Sequence, residues 1–194
     1  MTRINAEALG NLRIFNWLFK PAGWMLGSGL RRWLMDPVRT LEGTYIESGQ
    51  HVVEVGCGTG FFTIPAARMI GDQGRLVALD VLSDYVDVVT RKVQTAELEN
   101  VQVIKRDGLD AGLKDKSMDA ALLFGVIPFP TLPLNKLLPE MHRVLKPEGA
   151  LAVWLFPIAG LVPGLIVRSG IFTYISKRNG VYNYSPCQPQ TYSI

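Results

Sequence analysis

The chain has 194 residues, 48% of them hydrophobic and 19% charged, a length that suits one domain with an accessory element and allows a real core. Its two cysteines, Cys57 and Cys187, lie far apart without metal-ligand spacing, so neither a disulfide framework nor a zinc site is expected and a reducing cytoplasm is the simplest compartment. The net charge of +3 is uneven: residues 1–40 hold six basic side chains against Glu7 and Asp36, which leaves the rest at −1 and argues against a nucleic-acid-binding body.

Residues 1–40 read as an N-terminal amphipathic helical arm and residues 41–194 as the main domain. In the arm, Leu12, Phe15 and Phe19 share one helical face while Arg13, Asn16 and Lys20 take the other. Pro21 and Gly23 break that helix, and a second short one is expected from Ser28 to Met35, before Asp36-Pro37. Arg13 and Lys20 interrupt any signal-peptide core, and no small-residue cleavage site follows one.

From about Gln50 onward, short β-branched runs alternate with amphipathic stretches, the pattern of βαβ units. Strands are expected at His51–Val55, Arg75–Asp80, Val101–Arg106, Asp119–Phe124 and Ala150–Phe156. A helix starts within Phe61–Met69 and ends at Gly71 and Gly74; a second runs from an N-cap at Ser83 through Glu97, with Val86, Val89 and Val93 on one face. A third spans Leu134–Leu145, after which Pro147-Glu148-Gly149 turns the chain into the fifth strand. Pro157–Ile175 is the greasiest stretch, but Arg168, two prolines and three glycines interrupt it, so no transmembrane helix is expected. Phe172–Lys177 and Val181–Ser185 flank Arg178-Asn179-Gly180, a hairpin signal. The expected fold is α/β: a doubly wound, Rossmann-like, mostly parallel sheet with a terminal antiparallel hairpin and an N-terminal helical arm.

The segment that carries chemistry is Val52-Val53-Glu54-Val55-Gly56-Cys57-Gly58-Thr59-Gly60: a buried strand running into three alternating glycines and then a helix. Glycine permits backbone angles that side chains forbid and lets a ligand lie against the main chain. Ligands of such sheets sit beyond the carboxyl ends of the strands. Asp80 ends the second strand, where a carboxylate can accept both hydroxyls of a ribose, and Asp107, just before Gly108, closes the third. Three strand ends thus converge on one crevice.

With the Leu145-Lys146-Pro147-Glu148-Gly149 approach to the fifth strand, these residues closely resemble the class I S-adenosylmethionine-dependent methyltransferases over roughly residues 40–160. The resemblance implies that Glu54 and Gly56, Cys57, Gly58, Thr59 and Gly60 hold the methionine end of the cofactor. It assigns the ribose to Asp80, the flanks of the adenine to Val81 and Leu82, and the adenine edge to Asp107 and Gly108. Phe124, with Gly125 and Val126, would floor the site beside the methyl group, and S-adenosylhomocysteine would be the product. A nicotinamide-dependent oxidoreductase is the main competitor, but Phe61 follows Gly60 where that fingerprint needs a further spaced glycine.

Methyl transfer from a sulfonium needs alignment and water exclusion more than a dedicated acid or base, so no catalytic residue is assigned. His51 and His142 are expected to be structural; Asp84 and Tyr85 stand near the pocket without a distinctive signal. The Asn-Pro-Pro-Tyr and Asp-Pro-Pro-Tyr motifs that hold a nucleic-acid nitrogen are missing after the fourth strand, where Gly125-Val126-Ile127-Pro128-Phe129-Pro130 makes an apolar wall.

The arm sets Trp17, Trp24 and Trp33, with Phe15, Phe19 and Met25, among Arg13, Lys20, Arg31 and Arg32, as an interfacial helix does. Its layout faintly resembles the start of quinone-biosynthesis C-methyltransferases and of bacterial phospholipid N-methyltransferases. The expected acceptor is therefore small and lipophilic, of prenylated quinone or phospholipid type. Membrane contact is expected through residues 9–35 of a protein that is cytoplasmic or peripheral on the inner face. Action on protein, RNA or a soluble metabolite, an arm that serves as a lid over the cofactor and forms the acceptor pocket, packing of the arm on the sheet, and a non-catalytic cofactor-binding module are the alternatives.

Overall fold

The computed structural model describes residues 36–127, 132–155 and 159–188. The two expected arm helices, the proline wall at 128–130 and the expected end of the fifth strand at Phe156 lie outside these residues.

Asp36 opens the described chain by capping α1, Pro37–Leu41: its carboxylate accepts from the N–H groups of Val38 and Arg39, and proline at the first position costs no hydrogen bond. This helix, which the sequence pattern did not suggest, crosses the expected boundary at residue 40 and buries Leu41 completely. There follow β1 (His51–Val55), α2 (Thr63–Ile70), β2 (Arg75–Asp80), α3 (Ser83–Thr95), β3 (Val101–Lys105) and β4 (Met118–Phe124). The chain continues through α4 (Leu134–Val144), β5 (Leu145–Trp154), α5 (Val162–Arg168), β6 (Phe172–Arg178) and β7 (Val181–Pro186).

The seven strands lie in the order β3-β2-β1-β4-β5-β7-β6. Strands β1 to β5 are parallel, and the β6–β7 hairpin adds antiparallel to β5. The chain winds one way from β1 to β3 and the other way from β4, so the strand order reverses between β1 and β4, where ligands of open α/β sheets bind.

Side chains of β1 alternate between two cores. Val53 and Val55 face one with Leu137, Leu138, Met141 and Val144 of α4; Val52 faces the other with Ala66, Ala67 and Ile70 of α2. Both cores are covered, as a parallel sheet requires.

The hairpin forms where expected. Asn179 and Gly180 both adopt positive φ, 46° and 81°, the pair of angles that a right-twisted two-residue turn needs. Two expectations are corrected. Leu82, in extended conformation, precedes α3, and Ser83 is its first residue and not an N-cap. The strand β5 begins at Leu145 and not at Ala150: Leu145 pairs with Met118 and Ala150 with Ala120, so the Lys-Pro-Glu-Gly run bulges out of a continuous strand. Lys146 ties that bulge to Asp119 by an ion pair of 2.6 Å.

Candidate functional site

At the carboxyl end of β1 the N–H groups of Gly56 and Cys57 both donate to the Leu79 carbonyl, at 2.8 and 2.9 Å, binding the glycine loop to the end of β2. Gly56, Gly58 and Gly60 all have positive φ, between 52° and 76°. Their surroundings differ. A β-carbon on Gly56 would lie 2.3 Å from Cγ1 of Val126, which follows β4, whereas one on Gly58 would meet nothing within 4 Å. Gly56 is thus required by packing, and Gly58 leaves its main chain facing open space.

Asp80 faces that space from the last position of β2. Its Oδ2 accepts from the Gly58 N–H at 2.9 Å and its Oδ1 from the Leu82 N–H at 3.0 Å. Burial pushes its pKa up, opposed by these backbone donors, which favour the carboxylate. With the Val81 N–H also favouring the carboxylate, these donors still leave a lone pair for a ligand. Tyr85, half-buried, senses the same group: burial, then the charges of Asp80 and Asp84, raise its pKa.

Glu54 lies on the α2 side of the sheet and is buried. The Thr63 hydroxyl, in the first turn of α2, donates to its Oε2 at 2.6 Å. Loss of hydration pushes its pKa up to about 8; the Thr63 bond opposes the rise and Asp80 adds to it. Cys57 turns its side chain into a small core with Ala78, Val89 and Val93. Burial, together with Glu54 and Asp80, drives its thiol far above the ordinary range, so it contributes its backbone and not a thiolate.

Asp107 closes the turn after β3, its Oδ1 accepting from the Leu109 N–H at 3.0 Å. Gly108 folds back onto β1: a β-carbon there would come within 2.4 Å of Val55 Cγ1. The ends of β1, β2 and β3 therefore converge, and Val126 adds the end of β4. Phe124 is brought close only by its backbone, because its ring packs edge-on against Phe62 at 4.8 Å. Val81 and Leu82 are partly exposed beside Asp80.

The two histidines lie apart from this cluster. His51 gives its backbone N–H to Asp119, and His142 pairs through Nε2 with the Cys187 carbonyl. Sequence reasoning missed Thr63 and also Lys92, whose Nζ donates to the Thr59 carbonyl at 2.6 Å. A residue 33 positions downstream leaves no local signal of such a contact. A groove of about 1310 Å³ runs between α1, α2 and α3, bordered by Asp36 and Pro37 at one side and by Thr59 and Gly60 at another.

The arrangement fits the cofactor that the glycine motif implies: an open main-chain cradle at Gly58, a buried carboxylate with a spare lone pair at the next strand end, and small or turn residues at the third. Among the described residues no cluster of histidine, cysteine or carboxylate side chains could hold a metal ion.

Comparison with known proteins agrees with this geometry. Residues 52–149 match a family described as a methyltransferase domain. The chain is 32% identical over 122 residues to the demethylmenaquinone methyltransferase of Listeria welshimeri, covering 62% of this chain and 50% of that one. It is 34% identical over 105 residues to the Staphylococcus epidermidis protein of the same name, covering 54% and 42%. The chain thus spans about half the length of the curated relatives it matches. Among solved structures, a SAM-dependent methyltransferase from Aquifex aeolicus superposes with a TM-score of 0.70 at 24% identity, over 86% of this chain and 96% of that one. A Pyrococcus horikoshii protein superposes with a TM-score of 0.71 at 19% identity, over 91% and 100%. At these identities the two structures establish the fold.

Proposed function

The chain belongs to the methyltransferase domain family, here of the S-adenosylmethionine-dependent class I kind, and from that premise we propose that it methylates a small lipophilic acceptor at a membrane face. When bound, S-adenosylmethionine supplies a methyl group already activated on a sulfonium. Asp80 would hold the ribose hydroxyls and Gly58 would give the cofactor its close backbone approach. Asp107 and Gly108 would read the adenine edge, between Val81 and Leu82. Glu54 would sit beneath the methionine end. Val126 and the backbone of Phe124 and Gly125 would floor the transfer site. The remaining task of the protein is to orient the acceptor in line and exclude water.

The observation that carries the acceptor reading is the aromatic and basic composition of residues 9–35, whose root at Asp36 and Pro37 shares a groove with Thr59 and Gly60 of the glycine loop. The curated relatives bear the name of a quinone methyltransferase, which supports the same acceptor class. No described helix is long and apolar enough to cross a membrane.

The deciding experiment incubates the full chain with radiolabelled S-adenosylmethionine and a total lipid extract, beside soluble-metabolite, RNA and protein fractions. Label in the organic phase is the expected result. Label confined to an aqueous fraction would overturn the lipophilic acceptor while leaving the methyltransferase in place.

A further inference from the structure

A second surface lies on the last quarter of the sequence. Between Gly149 and Ile194 there is no aspartate or glutamate, while Arg168, Lys177 and Arg178 are all positive. Five of the seven large apolar side chains exposed among the described residues fall between positions 161 and 175. Leu161 is 85% exposed, and Leu165, Val167, Tyr174 and Ile175 each between 45% and 47%.

These side chains follow from how two elements are built. The helix α5 buries Val162 and Ile166 in the core. Leu161, Leu165 and Arg168, spaced by four and then three, form a neighbouring stripe that ends in a cation. The strand β6, against which α5 packs, is the edge of the sheet. Its register slips between Tyr174 and Ser176, leaving Ile175 as an extra, exposed residue. Edge strands are commonly guarded by charge, and here the only charges on the strand are Lys177 and Arg178, both of one sign. Leu161, at the start of α5, comes seven residues after Trp154, the last residue of β5.

We propose that α5 and β6 form an interfacial docking surface for a bilayer that carries anionic lipid. Leu161, Leu165 and Ile175 enter the boundary between headgroups and acyl chains, and Arg168 and Lys177, the latter also donating to the Tyr182 hydroxyl, meet lipid phosphates, whereas Arg178 lies over the Tyr45 ring on the other face. Charge selects this occupant over a second copy of the chain, because pairing two such surfaces would set two cations against two. The proposal deepens, and in that sense rests on, the reading of a lipophilic acceptor; vesicle binding is measured without cofactor, so the two fail separately.

The test is co-sedimentation of the full chain with phosphatidylcholine vesicles, with and without admixed phosphatidylglycerol, at low and raised salt. Binding should require the anionic lipid and weaken with salt. A Leu161→Ser/Leu165→Ser variant and an Arg168→Glu/Lys177→Glu variant should each bind about tenfold more weakly or worse, since one loses buried apolar area and the other reverses attraction to the phosphates. The altered positions are exposed, and an unchanged thermal melt will separate lost docking from lost folding. Wild-type affinity in both variants would place any vesicle contact elsewhere, such as residues 9–35, and overturn the proposal. So would equal binding to neutral vesicles, no binding to either, or a dimer that dissociates in the leucine variant. Vesicle binding that persists when methyl label appears only in an aqueous fraction would leave this surface standing and remove the acceptor reading.

Discussion

Each oxygen of the Asp80 carboxylate accepts one backbone N–H, from Gly58 and from Leu82, and so fixes both the glycine loop and the start of the next turn before any ligand arrives. The spare lone pair is what a ribose would use. Asp80→Ala should weaken S-adenosylmethionine binding by about ten- to a hundredfold in calorimetric titration, the scale of hydrogen bonds to a charged acceptor. Asp80→Asn, which keeps the shape and one acceptor, should lose less. Unchanged affinity in both variants would sink the ribose assignment. Glu54 gives a pH signature of its own. Its folded pKa of about 8 stands above the ordinary carboxyl value of 4.5, so the folded state holds this proton more tightly than the unfolded chain. The resulting stability is complete at pH below the unfolded value and is lost as pH rises towards 8. Glu54→Gln keeps a neutral group able to accept from Thr63. It should flatten the fall of the thermal midpoint across that window; an unaltered slope would show that Glu54 is already ionised in the folded protein.

Among the elements, the glycine loop separates two roles that its regular spacing conceals. Gly56→Ala would drive a methyl group into Val126 and should destabilise the fold by about 2–3 kcal/mol, through overpacking combined with the cost of positive φ. Gly58→Ala meets open space and should cost only about 1 kcal/mol of folding, while its methyl intrudes on the cofactor's approach and abolishes measurable binding. Chemical denaturation beside titration reads both; equal destabilisation would erase the distinction. This difference was not legible in the sequence, which shows three equivalent glycines, because Val126 arrives from a strand end about seventy residues later. Strands β1 and β2 were legible to the residue, since each is a short apolar run bounded by polar or glycine residues. The helix α5 was not: Val162-Pro163-Gly164-Leu165 carries two helix breakers, and the turn forms because Val162 and Ile166 find a core. The start of β5 was misplaced for the reverse reason. Proline and glycine at 147 and 149 read as a turn, yet pairing of Leu145 with Met118 keeps the backbone in the sheet and absorbs them as a bulge.

Across the whole molecule, the doubly wound, mostly parallel sheet and the convergence of three strand ends followed from alternation of short strands and helices, a non-local consequence of a local pattern, while the strand order came only with the structure. The clamp at the far edge did not. The Asn179 side chain donates to the Arg39 carbonyl, and the buried Asn183 donates to Gly43, each spanning 140 residues. Gly43 itself lies so close that a β-carbon would strike the Arg178 carbonyl. Nothing in either stretch announces the other, because the two meet only once β7 has joined β5. During synthesis this geometry becomes a matter of time. At about 5–20 residues per second, roughly 7 to 28 seconds separate the emergence of residues 39–43 from that of the turn that clasps them. The aromatic, basic segment ahead of α1 is therefore made long before the turn that clasps its root, and in that interval only α2 is at hand to pack on α1.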